Sequence, residues 1–171
     1  MNGERQGATI VIGVGNPYRR DDGIGPAVIE RLRRRHLPGV NLAESDGEPT
    51  RLLDLWAGVD MAIVVDAIRT ASPRPGTIHR RSLRHPSTPR MRGGGTHAVD
   101  LGDAVALAAA LDLLPRTLLL YAVEAGDTSP GEGLTPPVQA ALSELVDELV
   151  AELTGPPMGA VGPRSTRAHR L

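Results

Sequence analysis

IVIGVGNPYRRDDGIG, residues 10–25, reads as a buried strand that breaks on two glycines and then hands two adjacent carboxylates to the start of a helix. The strand spans residues 8–14. Ile10, Val11, Ile12 and Val14 form a near-continuous apolar run, as expected of a parallel strand covered by helices on both faces. Strand, glycine turn, loop and helix open a doubly wound α/β domain, where ligands bind beyond the carboxyl ends of the strands. Asp22 is therefore expected in the crevice where chemistry takes place.

Outward from this stretch the α/β alternation continues. A helix is predicted over 23–36, with Pro26 tolerated in its first turn and Ile24, Val28 and Leu32 on one face. Arg31, Arg33, Arg34 and Arg35 crowd its end, where cations favour the negative pole of the helix; they read as a solvated terminus. A short strand over 39–43 and a helix over 48–57 follow, the helix with Pro49 near its start and Gly58 past its end. The next buried strand, MAIVV over 61–65, closes on Asp66. Such a carboxylate is either a satisfied turn residue or a group facing the ligand crevice.

The segment 69–95 changes character. It is rich in Pro, Gly and Arg and has no carboxylate between Asp66 and Asp100. An edge strand is predicted over 76–83, then a long loop over 84–95 that ends in three glycines just before His97. The arginines of 69–92 suit either a docking surface for an acidic partner or a solvated loop. Asp100 is a plausible N-cap for a helix to Leu113, with Leu101, Val105, Ala108 and Leu111 facing inward. A last strand over 117–122 leads to Glu124. After a glycine-rich loop, Thr135 caps a helix opened by Pro136, with Val138, Leu142, Leu145 and Leu149 on its buried face. One domain over 1–153 is expected, with a disordered tail over 154–171.

Composition narrows the function. The chain has 171 residues, enough for one domain with a sizeable core. It contains no Cys, which removes disulfides, thiolate metal sites and a cysteine nucleophile. It contains no Lys, which removes a Walker-type phosphate loop and Schiff-base chemistry. Three aromatic residues and a formal net charge of −1 argue against a nucleic-acid surface. No apolar run is long enough to cross a bilayer, and the N-terminus lacks an apolar export core. The pair Gly13 and Gly15 invites a dinucleotide-binding reading. The third glycine of that fingerprint is missing, and two carboxylates at the helix start would repel a pyrophosphate.

What remains is Asp22, Asp66 and His97. Two carboxylates and an imidazole suit a divalent transition metal with open coordination positions. The same residues also admit a structural account, in which Asp21 or Asp22 caps the helix, Asp66 binds loop amides and His97 is idle. His36, His79, His85 and His169 read as incidental.

The segments VIGVGNPYRRDDGIGPAVIERL, IVVDAI, THAVDLGDAVALAAAL and YAVEAGDTSPGEGLTPPVQAAL together resemble the hydrogenase maturation proteases, the endopeptidases that process the large subunit of nickel-iron hydrogenases. The resemblance covers most of residues 8–153, and the first segment is its specific part. It implies a three-layer α/β sandwich whose five-stranded, mostly parallel sheet has one antiparallel edge strand. It places the family's metal ligands on Asp22, Asp66 and His97, which would also carry the catalysis of an aspartyl-type endopeptidase. The substrate implied is a large-subunit precursor already loaded with nickel, the ion being carried by or shared with that substrate. The enzyme would remove the C-terminal extension in the cytoplasm, with a monomer expected and neither nucleic acid nor membrane involved. The arginine-rich stretch 69–92 departs from the family. Two rival readings stand beside it: a non-catalytic nickel checkpoint or delivery protein that uses the same three ligands, and a nucleotide-binding α/β module.

Overall fold

The computed structural model describes residues 7–83 and 96–155. Five strands, β1 (Thr9–Val14), β2 (Val40–Ser45), β3 (Met61–Ile68), β4 (Ile78–Ser82) and β5 (Thr117–Glu124), form one sheet in the order β2-β1-β3-β5-β4. All neighbouring pairs are parallel except β4 with β5. The helices are α1 (Ile24–Arg33), α2 (Pro49–Trp56), α3 (Thr96–Ala110) and α4 (Pro136–Thr154). The expected three-layer sandwich with one antiparallel edge strand is the observed fold. Among the described residues no helix is long and apolar enough to cross a membrane.

Strand alternation splits the core in two. Ile10, Ile12, Ala62, Val64, Leu118 and Leu120 face α2 and α3 and pack on Trp56, Leu101 and Ala104. Val11, Ile63, Val65, Leu119 and Tyr121 face α1 and α4 and pack on Ile29, Leu32 and Leu145. The inner strands are apolar on both faces because helices cover both, which removes the polar alternation of a half-exposed strand. Ile24, Val28 and Leu32 in α1, and Val138, Leu142, Leu145 and Leu149 in α4, are buried as their spacing predicts.

The glycines near β1 serve close packing. A Cβ on Gly13 would lie 2.3 Å from the Gly25 carbonyl oxygen, and one on Gly25 would lie 2.3 Å from that of Val14. Strand and helix thus meet backbone to backbone. Gly15 has φ +138, and a Cβ there would collide with the Asp22 carbonyl at 1.9 Å. These contacts fix where the strand hands over to the carboxylates.

Several expectations need correction. A 3₁₀ turn, Arg20–Gly23, precedes α1 and holds both Asp21 and Asp22; neither side chain caps α1. Helix α3 starts at Thr96, so Asp100 lies inside it instead of capping it, and His97 is in its first turn. Leu111 is 55 % exposed, because α3 ends at Ala110 and Asp112 then turns the chain with φ 55. Thr135 occupies the N-cap position of α4 without a side-chain capping bond, since its hydroxyl goes to Asp21. Residue 154 closes α4, and the rest of the expected tail from residue 156 lies outside the described residues. The expected loop over 84–95 also lies outside them.

Candidate active site

The chain leaves β1 through α1 on one face of the sheet, while α2 and α3 cover the other. The crevice between the carboxyl ends of β1 and β3 is the switch point where doubly wound domains bind ligands. Asp22 and Asp66 border it. The β1–β3 pairing ends at Gly13 and Val65, so Asp66 is the first residue of β3 beyond it. Asp66 lies inside β3, paired in register with Ala122 of β5, and shares a pleat face with Ala62 and Val64. That is the face α3 covers, and His97 belongs to the first turn of α3. Leu101, one turn after His97, packs into the core on that face. The His97 side chain lies outside the described residues.

Both carboxylates are buried, Asp22 at 6 % and Asp66 at 3 % exposure. Oδ2 of Asp22 accepts the Asn16 amide at 2.8 Å, and Oδ1 of Asp66 accepts the Ala67 amide at 2.8 Å. Burial pushes the Asp66 carboxyl well above the ordinary carboxylate range, and the negative Asp22 adds to it; the Ala67 amide opposes both. With Asp22 beside it, the buried Asp66 carboxyl favours a proton or a neighbouring cation. Among the described residues no three His, Cys, Asp or Glu side chains form a metal-sized cluster. The donor types fit a borderline divalent ion with vacant positions, which a substrate's own ligands could fill.

Asp21, next in sequence to Asp22, has a different task. It is fully buried, and its carboxylate accepts the amides of Gly126 (2.8 Å), Asp127 (3.0 Å) and Thr135 (2.7 Å). It therefore ties the 3₁₀ turn to the loop after β5 and to the start of α4. The sequence offered two equivalent aspartates; only the distant loop decides which is the clamp.

A fourth buried carboxylate, Glu124, has no role that the sequence assigns. Glu124 ends β5 and accepts the Arg74 amide at 2.6 Å, His79 Nε2 at 2.8 Å and the Thr70 hydroxyl at 3.3 Å. The Arg74 amide first, then His79, hold its carboxyl below the usual range. His79 is thus a structural partner, and nothing local in sequence links it to Glu124. Arg80 is likewise engaged: it pairs with Glu152 at 3.0 Å and donates to the Tyr121 hydroxyl at 3.2 Å. The arginines at the end of α1 behave as predicted, pairing on the surface with Glu30, Glu44 and Asp147.

Comparison with known proteins follows the same lines. A family model described as hydrogenase maturation protease matches residues 26–152, a span that includes Asp66 and His97 and begins just past Asp22. The hydrogenase 2 maturation protease of Escherichia coli (strain K12) is 30 % identical over 148 residues, 84 % of this chain and 89 % of that protein. The hydrogenase expression/formation protein HupD of Thiocapsa roseopersicina is 31 % identical over 150 residues, 80 % of this chain and 66 % of its own length. The solved structure of the hydrogenase maturating endopeptidase HybD from E. coli superposes with a TM-score of 0.76 at 27 % identity, covering 85 % of this chain and 91 % of that one.

Proposed function

Because the chain belongs to the hydrogenase maturation protease family, we propose that it removes the C-terminal extension of a hydrogenase large-subunit precursor once that precursor carries nickel. Asp22, Asp66 and His97 meet the ion that arrives with the substrate. The observation that carries this reading is the pairing of two buried carboxylates across the β1–β3 crevice, with Asp66 pushed toward its protonated form. A site of this kind is costly to leave as two anions. A divalent ion displaces the proton and turns mutual repulsion into shared attraction. The isolated enzyme therefore binds nickel weakly, and the site completes itself only when the substrate supplies the ion and its remaining ligands.

The reaction is hydrolysis of one peptide bond. Water adds to the scissile carbonyl, the C–N bond breaks, and the products are a new C-terminal carboxylate and a free amine. An ionised carboxylate at Asp22 or Asp66 can take the proton from water, and its conjugate acid can return it to the leaving amine. The reaction takes place in the cytoplasm, with the enzyme as a monomer.

The test is incubation of the purified chain with nickel-loaded and nickel-free precursor, followed by intact-mass measurement. A shortened product from the loaded precursor alone supports the reading. Binding without shortening would assign the chain to a checkpoint role instead.

A further inference from the structure

Of the three aromatic side chains, Trp56 and Tyr121 are buried, while Tyr18 is 66 % exposed. A lone exposed ring on a loose loop would be ordinary surface. The loop that carries Tyr18 is tightly held. Pro17 fixes a backbone torsion just before it. The Tyr18 amide donates to Asn16 Oδ1 at 2.9 Å, and its carbonyl accepts the Gly131 amide at 2.9 Å. The Arg20 amide returns a bond to the Gly131 carbonyl at 2.9 Å, and the Arg19 amide donates to the Asn16 carbonyl at 3.1 Å. Gly131 itself has φ +148, and a Cβ there would lie 2.9 Å from the Arg20 guanidinium carbon, so the loop after β5 is fitted closely around this knuckle.

The knuckle is also joined to the candidate active site. Asn16 receives the Tyr18 amide on its side chain and gives its own amide to Asp22 Oδ2 at 2.8 Å. One residue thus holds both the backbone that carries the exposed ring and an oxygen of the buried carboxylate. Small molecules are held in concave sites, and a convex ring on a rigid knuckle cannot enclose one. It can fill a pocket on another protein. The backbone share of the ordering cost is already met on folding, and tyrosines are enriched among the residues that dominate binding at interfaces.

We infer that Tyr18 is a preformed anchor for the substrate protein: its ring enters an apolar pocket on the folded surface of the large-subunit precursor, next to the extension to be removed. This rests on the proteolytic reading above and adds a recognition residue to it. The ring supplies affinity and registers the precursor against Asp22; it takes no part in bond cleavage.

The test uses the full chain, its Tyr18→Ala and Tyr18→Phe variants, and the nickel-loaded precursor encoded by the same genome. Dissociation constants come from biolayer interferometry, and cleavage rates from single turnovers at saturating enzyme. Tyr18→Ala should weaken binding by about tenfold or more, while Tyr18→Phe stays within about threefold of wild type. The saturated cleavage rate should change by less than about twofold, and the melting temperature should not move, given the exposure of the ring. Unchanged binding in Tyr18→Ala, with wild type still cleaving, would overturn the anchor and leave the protease reading intact. A loss confined to the saturated rate, or an equal loss in Tyr18→Phe, would also overturn it. A wild-type chain that neither binds nor cleaves the precursor would overturn both.

Discussion

Asp21 Oδ1 accepts the Thr135 amide at 2.7 Å, across 114 residues of sequence. With Gly126 and Asp127 on the other carboxylate oxygen, the bond makes Asp21 the clamp that closes the site loop onto α4. Its neighbour Asp22 is thereby held at the crevice without contributing to the clamp. The adjacent pair divides into one structural and one functional carboxylate.

The clamp has a direct consequence for stability. Asp21→Ala removes a fully buried carboxylate and leaves three backbone amides and a hydroxyl, all part-buried, without their acceptor. Each unsatisfied buried donor costs about 1–3 kcal/mol, so a total loss of about 3–5 kcal/mol is expected once partial relaxation is allowed for. Urea unfolding should show this loss. A change below about 1 kcal/mol would mean that water replaces the carboxylate.

The site carboxylates should behave in the opposite way. Asp22→Ala and Asp66→Ala, together with His97→Ala, should each abolish processing of the nickel-loaded precursor while leaving a cooperative thermal transition. Asp22→Ala and Asp66→Ala each remove a buried carboxylate and no apolar side chain of either core. Full processing by the Asp66 variant would remove the site as drawn.

The raised Asp66 carboxyl predicts a pH signature in the metal-free chain. The folded state holds the proton more tightly than the unfolded state does. Its stabilising contribution is therefore complete below the ordinary carboxylate range and is lost as pH rises through the raised value. Asp66→Asn keeps an acceptor for the Ala67 amide and removes the ionisation. The melting temperature of the variant relative to wild type should climb as pH rises above the ordinary carboxylate range and level off once the folded carboxyl has ionised. A difference independent of pH would mean that Asp66 ionises normally.

Much of this architecture is legible in the sequence because it is local. The apolar runs of β1, β3 and β5 report burial on both faces, and the spacing in α1 and α4 reports their inward sides. Asp66 stands out because a carboxylate interrupts an apolar run, although β3 itself continues to Ile68. The clamp at Asp21 and the bond between His79 and Glu124 are not legible. Both join residues distant in the chain, and neither leaves a periodic trace. The start of α3 is not legible for a related reason: Asp100 has the chemistry of a cap, but the chain enters the helix one turn earlier, immediately after the glycines.

The last prediction concerns the basic edge of the sheet, where neighbouring arginines should separate by role. Arg80 faces α4, pairs with Glu152, whose side chain is 14 % exposed, and donates to the Tyr121 hydroxyl. Arg81 is exposed, and it falls on the opposite pleat, in register with Leu120. Arg80→Ala should therefore cost about 1 kcal/mol of stability through the lost bidentate pair, with little effect on encounter with the precursor. Arg81→Ala should leave stability within about 0.5 kcal/mol. It should also slow association at low salt by about twofold, an effect that fades when charges are screened over about 8 Å at physiological ionic strength. Chemical unfolding and stopped-flow association at two salt concentrations separate the two. Salt-sensitive association in the Arg80 variant, with its stability intact, would mean that the ion pair opens in solution and that Arg80 belongs to the docking surface.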